Sequence, residues 1–122
     1  MAVVAVIGAS ADRHKFGNKA LRAFRANGYT VIPINPHETV VEGERAYASV
    51  FDYPGEIDHA TVYVQPSVGA TLMAELARKR IKTVWLNPGA DAPAVVAAAR
   101  AAGLKTKVAC SITGIGDSPS RY

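Results

Sequence analysis

Gly8-Ala9-Ser10 is the segment whose residue types most constrain the chemistry of this chain. It ends the apolar run Val3–Ile7 and opens into the polar loop Ala11–Gly17, after which a helical pattern starts near Asn18. A small-residue turn between a strand and a helix aims backbone N–H groups outward, and the helix dipole favours an anion there. Arg13 and Lys15 place mobile positive charge beside the turn. The chemistry this suits is phosphate binding. Ser10 and His14 could also be read as nucleophile and base, but both lie on one loop and no acid is fixed by spacing to orient the base. His14, His37 and His59 lack metal-ligand spacing, and the single Cys110 excludes an internal disulfide or a cysteine-based zinc site.

The elements that must position this turn alternate along the chain. Val3–Ile7 reads as a strand buried on both faces. Residues 18–27 read as a helix with Leu21 and Phe24 inward and Gly28 as its stop. Tyr29–Ile34 is the second strand, with Pro33 arguing for a strand end or one-sided pairing. The pattern weakens from Glu38 to Asp58, where a short helix is expected around Tyr47–Phe51. Ala60–Val64 is the third strand. Ser67 is expected to cap a helix reaching Arg80, with Val68, Leu72, Met73, Leu76 and Ala77 on its apolar face. Thr83–Leu86 is the fourth strand, Asp91 caps a further helix that stops at Gly103, and Lys107–Cys110 is the fifth strand. Ser111–Tyr122, rich in Gly, Ser and Pro, is expected to fray.

Such alternation predicts an α/β fold: a Rossmann-like, doubly wound parallel sheet of about five strands with helices on both faces, forming a single domain over residues 1–122. In these folds the ligand lies beyond the carboxyl ends of the strands. Every strand here ends in a polar or small cluster: Gly8-Ala9-Ser10, Asn35-Pro36-His37, Gln65-Pro66-Ser67, Asn87-Pro88-Gly89 and Cys110-Ser111. They converge on one rim.

Composition narrows the partners. With 49% hydrophobic and 20% charged residues the chain is an ordinary globular domain, and a net charge of +4 suits an anionic ligand. No basic run or interleaved aromatics point to nucleic acid. The N-terminal apolar run is too short to span a membrane and lacks the basic flank of a secretory signal, so a cytoplasmic location is expected. The rim also departs from a dinucleotide fingerprint. Ser10 stands where a second glycine belongs, the next glycine is delayed to Gly17, and Asn35 replaces the acid that would hold ribose hydroxyls. A ligand with a diphosphate and a third phosphate on its ribose fits these departures, and both NADP and coenzyme A are of that kind.

The motifs Val6-Ile7-Gly8-Ala9-Ser10, Lys15-Phe16-Gly17-Asn18-Lys19, Ile34-Asn35-Pro36 and Val84-Trp85-Leu86-Asn87-Pro88-Gly89, in this order, resemble the small stand-alone CoA-binding proteins. Their fold is shared with the CoA-binding domain of the succinyl-CoA synthetase alpha subunit. The resemblance runs from Val3 to Cys110, a cysteine being common at that last place. It implies that Gly8, Ala9 and Ser10 line the diphosphate and that Arg13 and Lys15 reach the phosphates. Asn35, Pro36 and His37 would border the adenosine and its ribose phosphate, and Val64, Gln65 and Pro66 the adenine or the start of the pantetheine arm, with Asn87 further along the rim. His37 stands where family members often carry a more basic residue. Cys110 is either an inert packing residue or one that faces the thiol end of the ligand. The function so implied is non-catalytic binding of coenzyme A or an acyl-CoA. A small NADP-dependent reductase and a detached CoA-binding subunit of an acyl-CoA ligase are the alternatives, and a protein partner or homo-oligomer is compatible with each.

Overall fold

Four largely apolar segments and the polar edge segment Lys105–Val108 become five parallel strands in the computed structural model, which describes residues 2–122. Val3–Ile7 (β1) leads into Phe16–Ala26 (α1) and Thr30–Ile34 (β2). A small hairpin, Val40–Val41 (β3) with Glu44–Arg45 (β4), and a 3-10 turn at Val50–Asp52 follow. Then come His59–Val62 (β5), Pro66–Arg78 (α2), Thr83–Leu86 (β6), Pro93–Ala101 (α3), Lys105–Val108 (β7) and Ser111–Gly114 (α4). The sheet order is β2-β1-β5-β6-β7. The chain therefore winds outward from β1 in one direction, then returns to build the other, and the order reverses between β1 and β5.

Alternation along each strand divides the core in two. Ala5, Ile7, Val62 and Leu86 face Met73, Leu76, Val95 and Ala99 of α2 and α3. Val4, Val6 and Val31 face Leu21 and Phe24 of α1 on the opposite side. The sheet is thus covered by helices on both faces, as the alternation of strand and helix signals requires. Pro33 lies in β2, an edge strand, where its missing N–H is tolerated.

Several boundaries differ from those expected. The hairpin arises from a two-residue turn, Glu42-Gly43, in which both residues have positive φ (50° and 79°), the geometry that joins twisted antiparallel strands. Tyr47 is not helical; it extends the edge of β2 by a parallel bridge to Ile34. The N-caps of α2 and α3 are Gln65 and Ala92, not Ser67 and Asp91, and neither caps through its side chain. β7 ends at Val108, and Cys110 is instead the N-cap of α4.

The largest correction concerns Ser111–Tyr122. It does not fray. Ile112 is fully buried among Val4, Val6 and Leu21, and Arg22 donates to the Tyr122 carbonyl oxygen at 3.3 Å. Asp117 accepts from Asn27 Nδ2 (2.8 Å) and from the Tyr122 hydroxyl (2.5 Å). Gly/Ser/Pro composition was a poor guide here because one apolar anchor and a few specific hydrogen bonds hold the segment against α1.

Candidate functional site

The rim closes tightest at the reversal point between β1 and β5. Gly8 has φ of 87°, and a Cβ built on it would lie 3.1 Å from the Tyr63 carbonyl carbon and from Val64 Cγ1. A Cβ on Gly17 would lie 2.4 Å from the Gly8 carbonyl oxygen. Two glycines thus let the start of α1 press directly on the turn after β1, with β5 on its other side.

The turn is held from below. Asn18 is fully buried and donates from Nδ2 to the Ser10 carbonyl (2.9 Å) and to Glu42 Oε2 (3.2 Å). Its Oδ1 accepts from Arg22 Nε at 2.6 Å, while Arg22 also donates to the Arg13 carbonyl at 2.8 Å. Asn35 donates to the Ala9 carbonyl at 2.7 Å and accepts from the His37 N–H at 2.8 Å. These bonds fix the turn's carbonyls inward.

Not every N–H of the turn is aimed outward as expected. Gly8 donates to the Ile34 carbonyl (3.0 Å) and Ala9 to the Val6 carbonyl (3.3 Å), so both belong to the scaffold. The N–H groups of Ser10, Phe16 and Gly17 have no acceptor among the described residues. α1, α2 and α3 all begin at this rim without a side-chain cap and without an acidic residue in the first turn. Three such helix starts along one edge favour an anion.

Two clefts meet at Gly8 and Val64. The first, of about 400 Å³, lies between Ile34, Asn35, Pro36 and His37 on one side and Val68, Leu72 and Glu75 of α2 on the other, with Ser49 and Val50 closing it. The second, of about 290 Å³, runs past Phe16, Gly17, Gln65 and Pro66 to Pro88 and Gly89. Val68 is half exposed, where it was expected on the buried face of α2, because it forms part of the first cleft's wall.

Among the expected site residues, Gly8, Asn35, Pro36, His37, Val64, Gln65 and Pro66 line these clefts. Ala9 is fully buried, and Ser10 accepts from the Asp12 N–H at 3.0 Å. Arg13 and Lys15 stand outside both clefts, Arg13 paired with Glu42 at 3.5 Å. Asn87 does not face the rim. It is buried, donates to Thr61 Oγ1 (2.8 Å) and the Val62 carbonyl (3.0 Å), and accepts from the Ser111 N–H at 2.8 Å. Its neighbours Pro88 and Gly89 take the place at the cleft instead.

Sequence reasoning missed Ser49, Val50 and Glu75, and also Glu42. The Val-Val-x-Gly hairpin signal would have found Glu42; a lone acid one position from an apolar stripe would have marked Glu75. Cys110 is half-buried beside the α1 face. Burial raises its thiol, but hydrogen bonds from the Thr113 hydroxyl and the backbone of Thr113 and Ile112 together outweigh this and bring it below the ordinary range. No helix of the described residues is long and apolar enough to cross a membrane.

The family model for a CoA binding domain matches residues 2–113. The chain is 37% identical over 82 residues to the alpha subunit of an ADP-forming acetate–CoA ligase of Pyrococcus furiosus, which takes in 66% of this chain and 18% of that subunit. The chain therefore spans under a fifth of that relative's length. A conserved hypothetical protein of Pyrococcus furiosus superposes with a TM-score of 0.83 at 27% identity, covering 93% of this chain and 99% of that one. A dinucleotide-forming acetyl-coenzyme A synthetase of Ca. Korarchaeum cryptofilum superposes with a TM-score of 0.73 at 25% identity, covering 86% of this chain and 25% of that one.

Proposed function

The chain belongs to the CoA binding domain family, and from that premise we propose that it holds coenzyme A or an acyl-CoA along the strand rim without chemistry of its own. The observation that carries this reading is the pair of clefts joined at Gly8 and Val64, the second of them lined by the starts of α1 and α2, which lack side-chain caps and acids. The first cleft, walled by Val64, Val68, Leu72 and Val50, suits the flat adenine ring. The diphosphate lies over Ser10, Phe16 and Gly17, whose N–H groups are free to donate. Arg13 and Lys15 reach it from the exposed loop, Arg13 by exchanging Glu42 for phosphate. His37 borders the ribose phosphate, and the pantetheine arm follows Gln65, Pro66 and Gly89 through the second cleft.

Calorimetric titration with coenzyme A, dephospho-CoA and NADP tests this. Coenzyme A is expected to bind, and more tightly than dephospho-CoA. Binding of NADP with none of coenzyme A would overturn the reading and turn attention to a reductase, which draws no support from the relatives above.

A second reading, a detached CoA-binding subunit of an acyl-CoA ligase, is favoured by the ligase match itself. It predicts that the chain co-purifies with proteins supplying the rest of such a ligase and that the reconstituted mixture forms ATP from acetyl-CoA, ADP and phosphate. Failure of both would leave the stand-alone module.

A further inference from the structure

Among the described residues, Glu75 is the one acid in the lining of a largely apolar cleft. It is the tenth residue of α2, in line with Val68 and Leu72 at intervals of seven and three residues, so all three present to one side. Its carboxylate has no hydrogen-bond or ion-pair partner among the described residues. The other polar side chains of the cleft are already engaged or lie at its mouth. Asn35 bonds the Ala9 carbonyl and the His37 N–H, Ser49 accepts from the Phe51 N–H at 3.2 Å, and His37 is exposed. Glu75 also stands roughly 13 Å along the helix axis from the N-terminus of α2, at 1.5 Å per residue. The acid is therefore placed away from the helix start that favours phosphate, at the far end of the cleft.

Resting on the coenzyme A reading, we infer that Glu75 reads the base: its carboxylate accepts a hydrogen bond from the exocyclic amine of an adenine seated in the first cleft. The apolar walls hold any flat ring with little discrimination. An acceptor in that wall separates rings by what they offer it, because a seated ring without a donor displaces water from the carboxylate and puts no hydrogen bond in its place. Glu75 is thereby a specificity-determining residue, and the adenine amine is the group it selects.

The test compares coenzyme A with an analogue whose purine carries hydrogen in place of the amine, titrated against the parent chain, Glu75→Gln and Glu75→Leu. A hydrogen bond to a charged group predicts that the parent prefers coenzyme A by about tenfold or more. Glu75→Gln, which keeps an acceptor oxygen but no charge, retains a smaller preference. Glu75→Leu extends the apolar stripe, and it is expected to bind both ligands alike. Thermal unfolding of each variant confirms that the comparison is made on folded protein. Equal binding of the two ligands by the parent, or an undiminished preference in Glu75→Leu, overturns the inference while leaving the coenzyme A reading intact. If the parent binds neither ligand, the site assignment itself fails and the inference falls with it.

Discussion

Asn87 shows how a residue on the right loop can serve the site without touching a ligand. Its amide joins β5, β6 and the start of α4 through Thr61, Val62 and the Ser111 N–H, and Ser111 Oγ in turn lies 2.7 Å from Thr61 Oγ1 and 3.1 Å from the Tyr63 hydroxyl. Tyr63 lines the second cleft, so this buried network sets the cleft's wall. Asn87→Ala leaves the Ser111 N–H and the Val62 carbonyl without that partner, and is expected to destabilise the fold by about 1–3 kcal/mol in urea unfolding. Unchanged stability would mean that the network is not what holds α4. The sequence marked this position because Asn-Pro-Gly ends a strand at the rim. It could not show which way the side chain turns, since an amide serves a ligand and a buried network equally well. Gly8 was more legible, because a tight strand-to-helix turn admits few residues other than glycine, whereas the close approach at Gly17 emerges only from the fold.

At the scale of the element, α1 gives up a stabilising feature at its start. Lys15 occupies the N-cap with extended backbone (φ −79°, ψ 146°), the geometry in which Ser or Asp would accept from the first turn. Lys15→Asp is expected to raise stability by about 1 kcal/mol in thermal unfolding and to weaken coenzyme A binding by placing negative charge at the anion's seat. Lys15→Ser separates the two effects, adding the cap without the charge. Loss of stability together with unchanged binding would contradict both halves of the argument. The strands and long helices were legible because buried parallel strands write continuous apolar runs, with Thr83–Leu86 matching residue for residue. The hairpin was not, because strands of two residues carry too little pattern, and a Glu-Gly turn is a weaker signal than Asn-Gly. Helix caps were misplaced by one or two residues for a related reason: Ser67 and Asp91 fit the expected chemistry, but Pro66 and Pro93 already fix the first turns.

For the molecule as a whole, the returning segment after β7 closes the side of the sheet that α1 covers. Asp117 is its clasp. The hydrogen bond from Tyr122 and that from the Ser118 N–H, against the opposing pull of burial, with Asn27 and Arg121 adding to them, hold its carboxyl at about 2, below the ordinary 3.8. A carboxylate depressed in the folded state stabilises it above the ordinary value, and that contribution is lost as pH falls from there towards about 2. The segment is therefore expected to loosen over that window. Trp85 reports it, since Gly114 packs so closely on the indole that an added Cβ would lie 2.4 Å from it. Asp117→Asn should shift the Trp85 fluorescence at neutral pH and remove the acid-dependent change. An acid transition that survives in the variant would locate it elsewhere.

The strand order has a consequence in time as well as in space. β1 is made before the other strands of the sheet yet sits inside it, paired on one side with β2 and on the other with β5. Until His59–Val62 has been made, Val4, Val6 and Ile7 have a neighbour along only one edge. Each further pairing then spans a helical crossover, so the contacts that complete the sheet are distant in sequence, which slows folding. A nascent chain halted before β5 would carry its most hydrophobic strand with an unpaired edge, the state in which such chains aggregate or need chaperones.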